Sequence, residues 1–187
     1  MNPFARTVIG YHGCTKVLAD RLLSGEMSVL DWMPSHNDYD WLGHGIYFWE
    51  HGPARAMRWA EEKAPATGEE PAVVGAIVQL GNCFDLTDEQ NTKNIGAAYD
   101  LVKASFDAAG KDLPTNRGND ADLKGRFLDC LVINYYLEKV AAIRYQTVRC
   151  AFREGAPAYD GSMIYRQTHV QVAVSDRACI LGVFRPT

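Results

Sequence analysis

The 187-residue chain has no apolar run that would cross a bilayer: its most apolar stretches, Ala72 to Leu80 and Leu128 to Ile133, fall far short of the roughly 20 residues required. The first residues, Met1 to Arg6, lack the apolar core and small-residue cleavage site of a secretory signal. Both absences predict a cytoplasmic protein with no membrane partner. There is no C-x-x-C pair either, and the cysteines (Cys14, Cys83, Cys130, Cys150, Cys179) are odd in number and widely spaced, so they read as reduced core thiols. His44, His51, His169 and these cysteines show no compact ligand spacing, and no metal is expected. Low-complexity tracts, internal repeats and inter-domain linkers are missing, which at this length predicts one domain over residues 1–187. Strong net charge is missing as well. The formal −4 gives no global pull toward nucleic acid, although seven Lys/Arg oppose three Asp/Glu from Lys139 onward.

What is present suffices for a core, with 47% hydrophobic and 22% charged residues. Thr7 to Tyr11 reads as a strand, followed by a helix capped by Thr15, carrying Leu18, Leu22 and Leu23 at helical spacing and stopping at Gly25. Met27 to Gly45 is a long polar-aromatic loop. Ile46 to Trp49 forms a short strand, and Pro53 opens a helix to about Lys63. Ala72 to Leu80 suits a buried strand, and Thr87 with Gln90 resembles a capping box for a helix toward Ala109. The apolar face Leu123, Phe127, Leu131, Tyr135, Val140 predicts the longest core helix, reaching about Arg144. Strand character returns in Thr147 to Phe152, His169 to Val174 and Cys179 to Phe184. Strands at both ends around central helices predict an α+β fold, with a mixed or antiparallel sheet flanked by helices.

Two segments carry chemistry. Tyr11-His12-Gly13-Cys14 places an imidazole beside a glycine whose backbone a ligand can approach closely. Gly43-His44-Gly45-Ile46-Tyr47-Phe48 adds two more glycines and the flat face and hydroxyl of Tyr47. Between them lies Asn37-Asp38-Tyr39-Asp40-Trp41, which reads equally well as a self-capped turn with solvated acids or as a wall of a cleft.

In order and separation, Tyr11-His12-Gly13-Cys14, a helix ending in Leu23-Ser24-Gly25, and then Gly-x-Gly-Ile-Tyr-Phe resemble the catalytic domain of poly(ADP-ribose) polymerase-type ADP-ribosyltransferases. The likeness extends through Ala54-Arg55-Ala56-Met57-Arg58-Trp59 and covers about the first sixty residues. It implies a split β-sheet and NAD as substrate. It further implies that His12 holds the adenosine ribose, that the Gly13 backbone grips the nicotinamide carboxamide, and that Tyr47 and Trp59 enclose the nicotinamide ring. Aromatic walls suit a flat cationic ring, with cation–π attraction worth roughly 0.5–2 kcal/mol. Cys14, Gly45 and Ala56 fall within the implied NAD site. Ala56 stands where the family has a serine that bonds the carboxamide, so Cys14, Thr15 or a loop residue would have to replace that contact.

The family's glutamate on a late strand has no counterpart in Gln167-Thr168-His169-Val170-Gln171-Val172. Gln171 is the first candidate for its position and Gln167 the second; His169 lies between them. Glu154, Asp38 and Asp40 are alternative carboxylates. An amide can position a ribose but stabilises developing positive charge less than a carboxylate does. The resemblance therefore implies mono-ADP-ribosyl transfer to a macromolecular acceptor, with NAD hydrolysis or binding without turnover as alternatives. Arg149, Arg153 and Arg166 would suit a polyanionic acceptor.

Overall fold

A computed structural model describes residues 6–118 and 122–187. One seven-stranded sheet organises them, in the spatial order β4-β5-β6-β2-β1-β3-β7. The strands are β1 (Thr7–Thr15), β2 (Ile46–Glu50), β3 (Pro71–Gln79), β4 (Cys83–Asp85), β5 (Thr147–Phe152), β6 (His169–Val174) and β7 (Ile180–Phe184). All neighbours run antiparallel except β4 and β5. The architecture is thus α+β with a mixed sheet and flanking helices, as the element pattern predicts. Among the described residues no helix is long and apolar enough to cross a membrane.

Local chemistry explains the first half well. The Thr15 side chain accepts from the Leu18 N–H, and Gly25, at φ 79°, closes helix α1 (Lys16–Ser24) in the left-handed region that glycine tolerates. Helix α2 (Pro53–Thr67) begins with proline in its first turn, where no N–H is needed. Helix α3 (Glu89–Ala108) is capped by Asp88, whose side chain accepts from Gln90 N–H at 2.7 Å. Thr87, the expected cap, instead donates its hydroxyl to Asp85.

At 20 residues α3 is the longest described helix, so the expectation for 123–144 fails. Leu123 sits at φ 45°, outside helical space, and helix α4 runs only from Phe127 to Tyr135. Beyond it Tyr136–Val140 widens into a π-turn, where Tyr136 stacks on Phe84 at 4.6 Å, and Ala141 is extended. Strand β4 was not foreseen. Three residues are too few to show alternation, and pairing with β5 alone defines them.

One face of the sheet (Val8, Phe48, Val74, Val172, Val174) packs under α1 and Trp32. The other (Phe84, Val148, Ala173) packs under Ala98 of α3 and Val132 of α4, with Leu42 from the long loop. Helix α2 covers the second face over β1, so closely that a Cβ on Gly13 would lie 2.1 Å from the Ala56 carbonyl oxygen. The sheet is continuous rather than divided, but β1 and β2 pair only at Gly10–Glu50 and Tyr11–Trp49 before they part.

Candidate functional site

That parting is where the sequence motifs meet. Backbone groups of successive strand residues alternate between the two neighbours. On β1, Arg6 and Lys16 bond toward the β3 side, whereas the Ile9 carbonyl accepts from His51 N–H on the β2 side. The N–H and C=O of Tyr11 and Gly13 therefore also face β2. Continued register would set Gly13 opposite Tyr47, yet the ladder has already ended, and the buried Gly13 has no paired residue on β2. The Tyr47 carbonyl, which would complete the next rung, lies 2.7 Å from His12 Nδ1 instead. Because a carbonyl only accepts, Nδ1 carries the proton and Nε2 is left as an acceptor. Burial lowers the His12 pKa, outweighing the Tyr47 bond that raises it, so the ring is neutral. Trp32 meets the ring edge-on at 4.8 Å.

The aromatic walls are arranged differently from the expectation. Tyr47 directs its hydroxyl into the loop above it, donating to Gly43 O at 2.5 Å and accepting from Leu42 N–H at 2.8 Å. Burial pushes its pKa well up. Trp59 on α2 instead has Trp49 beside it at 5.9 Å, and the Lys63 ammonium lies 4.6 Å over its ring. The cation–π position on Trp59 is thus filled from within the chain. Gly13, Cys14, Thr15, Trp59 and Lys63 line a cavity of about 60 Å³. This has room for waters but falls well below the roughly 300–1,000 Å³ of ligand pockets. A dinucleotide enters only if α2 or the loop over β2 moves.

The remaining motif residues have structural partners. Ala56 is fully buried against Gly13, and Gly45 lets β2 approach β6, where a Cβ would meet Val174 backbone atoms at 3.1 Å. Cys14 alternates onto the opposite face from Gly13 and packs on the α1 side, with burial lifting its pKa to about 12. In the loop, Asp40 accepts from Ser35 Oγ at 3.0 Å, from Asn37 N–H at 3.1 Å and from the Asn37 amide at 3.3 Å. It is a turn-capping acid, with its pKa raised by burial. Asp38 is exposed, and Tyr39 packs on Phe127. The Gln167 N–H donates to the Glu154 carbonyl, closing the loop between β5 and β6. Arg149, one of the proposed anion contacts, is held by Glu50 at 2.7 Å and Asp85 at 3.1 Å.

Gln171, by contrast, joins a polar ring on the α2 face. It lies opposite Trp49 in the β2–β6 register, its Nε2 is 3.1 Å from His169 Nε2, and His169 Nδ1 is 3.5 Å from Glu154. Fully buried Glu154 takes two 2.9 Å bonds from Arg55 Nη2, and the Arg55 guanidinium lies 5.4 Å over Trp49, closing the circuit. Lys124 Nζ stands 3.8 Å from Glu154. Four buried polar atoms of this ring have no partner: Trp49 Nε1, Arg55 Nε, Arg55 Nη1 and Gln171 Oε1. The structure thereby gathers three residues singled out in the sequence, Gln171, His169 and Glu154, beside the β2 strand. Sequence reasoning gave Arg55 and Trp49 no such role. Nothing local marks Arg55, since its partner is 99 positions away.

Neither a protein-family model, nor a curated protein, nor a solved structure matches the chain.

Proposed function

We propose that this chain is a cytoplasmic NAD-dependent mono-ADP-ribosyltransferase with an ADP-ribosyltransferase-like fold. The observation that carries the reading is the parting of β1 and β2. It leaves buried Gly13 without a paired residue on β2, so that its N–H and C=O face the gap where a primary carboxamide could meet a donor and an acceptor, with His12, Tyr47 and Trp59 around it.

In this reading NAD enters after α2 lifts, its carboxamide bonds Gly13, His12 Nε2 accepts a hydroxyl of the adenosine ribose, and Gln171 lies toward the nicotinamide ribose. The bond between the ribose anomeric carbon and the nicotinamide nitrogen breaks, and nicotinamide leaves with the electron pair. An acceptor nucleophile then bonds that carbon and gives up its proton. Arg153 and Arg166, outside the Arg149 ion-pair network, border the loop between β5 and β6 and suit a polyanionic acceptor.

Binding without turnover is the second reading. Its support is that the carboxylate found in the Gln171 ring among the described residues, Glu154, is already paired with Arg55.

The test is release of free nicotinamide from NAD, with and without a cell lysate as acceptor. Release that depends on lysate is the expected result. Release without lysate means hydrolysis, and binding without release means the second reading. His12→Ala should abolish turnover while leaving the fold intact; unchanged turnover in this variant overturns the site assignment.

A further inference from the structure

The Gln171 amide has a defined polarity, and His169 sets it. Two acceptors converge on His169 Nδ1: the Gln167 carbonyl at 2.7 Å and Glu154 Oε2 at 3.5 Å. Neither donates, so Nδ1 carries the proton, and in the neutral ring Nε2 is a bare lone pair. The Gln171 group 3.1 Å from that lone pair must then be the NH₂ end. This turns Oε1 away from His169, buried and without a partner. Gln171 itself is buried, as is the Trp49 opposite it, so Oε1 is a held acceptor rather than a solvated one.

We propose that His169 is a positioning residue that holds Gln171 as an obligate hydrogen-bond acceptor for a sugar hydroxyl, and that protonating His169 inverts the amide into a donor and abolishes that recognition. An imidazolium presents N–H at both nitrogens, so Nε2 can no longer accept from NH₂, and the amide must turn its oxygen inward. The hydroxyl fits the neutral state because it has one donor for Oε1 and two lone pairs for the idle donors nearby, Trp49 Nε1 and those of Arg55.

Charged groups bear on the switch from several elements. Glu154, on the segment after β5, favours protonation of His169, while Arg55 on α2 opposes it, with Lys124 also drawn to Glu154. Phe152 on β5 and Trp41 in the loop enclose the ring, at 5.7 and 6.1 Å. Burial is the largest influence and lowers the His169 pKa, so the ring is neutral at pH 7 and inverts on the acid side. The hydroxyl ligand rests on the transferase reading; the polarity of Gln171 does not.

Nitrogen NMR of the folded, isotope-labelled protein from pH 8 down to the acid limit of the native state tests both parts. His169 should be the Nδ1–H tautomer at the alkaline end, and the Gln171 Nε2 signals should move with the same midpoint as the His169 ring. NAD affinity should fall about tenfold across that midpoint, as one buried hydrogen bond is replaced by two opposed donors. Gln171→Glu, which sets a carboxylate against Nε2, should raise the His169 midpoint. An Nε2–H tautomer, or Gln171 signals indifferent to His169, overturns the proposal, and NAD affinity constant across the midpoint overturns its ligand part. If NAD binds at no pH while the coupled titration is seen, the transferase reading fails and the polarity switch stands.

Discussion

Glu154→Gln isolates the charge of a fully buried carboxylate while keeping its shape. Glu154 has no exposed side-chain surface, and its principal partner Arg55 is 10% exposed. Arg55 Nη2 donates to both carboxylate oxygens at 2.9 Å, while Arg55 Nε and Nη1 have no partner. The substitution leaves a guanidinium with one neutral acceptor in a nearly dry site. Removing one member of a buried ion pair costs about 3–5 kcal/mol, because the other charge remains desolvated. For a chain of this size that lowers Tm by roughly 6–20 °C. Urea unfolding followed by tryptophan fluorescence measures it, with the slope required to match wild type so that the midpoint shift is a stability change. The paired change Arg55→Met with Glu154→Leu removes both charges and should recover most of the loss. A Glu154→Gln loss below about 1 kcal/mol refutes the reasoning, since it would mean that no buried charge pair exists to break.

Acid stability should depend on Asp85. Burial raises its pKa, but the Thr87 hydroxyl and N–H, then Arg149 and Arg6, outweigh burial and leave it below the ordinary value. A carboxylate depressed on folding stabilises above its unfolded pKa, and that stabilisation is lost as pH falls through the folded value. Asp85→Asn should therefore be less stable at pH 7 and show a shallower acid limb; an unchanged acid-unfolding curve would contradict this. The thiols should be inert in the native state, because burial pushes Cys14 to about 12 and Cys83, Cys130 and Cys150 to about 11. Alkylation at pH 8 should be slow for the folded protein and fast in denaturant. A thiol that reacts natively at the rate of free cysteine would count against this packing.

Local signals were legible wherever chemistry within a few residues decides the backbone. Thr15 caps α1, Gly25 ends it, Pro53 starts α2, and β1, β2, β5 and β6 lie where composition places them. The motif residues His12, Gly13 and Tyr47 are singled out by their likeness to a known family, and all three lie on strands, β1 or β2. The polarity of their surroundings could not be read in that way. Asp40 looked equally suited to a cleft and to a turn, and only its three hydrogen bonds show that it caps the turn. Tyr47 and Trp59 looked like facing walls, but the Tyr47 hydroxyl is claimed by Gly43 and Leu42, and Trp59 by Trp49 and Lys63.

By itself the sequence determined the α+β class of the fold and the places of β1, α1 and β2, because caps, turns and alternation act over short spans. Tertiary structure alone decided that β4 exists, that the 123–144 helix stops at Tyr135, and that β1 and β2 part after two residue pairs. It also brought Arg55 onto Glu154 and Glu154 beside His169, setting a buried ion pair behind Gln171. Those contacts join residues up to 99 positions apart, and their strength comes from exclusion of water, which exists only once the sheet and α2 have closed over them.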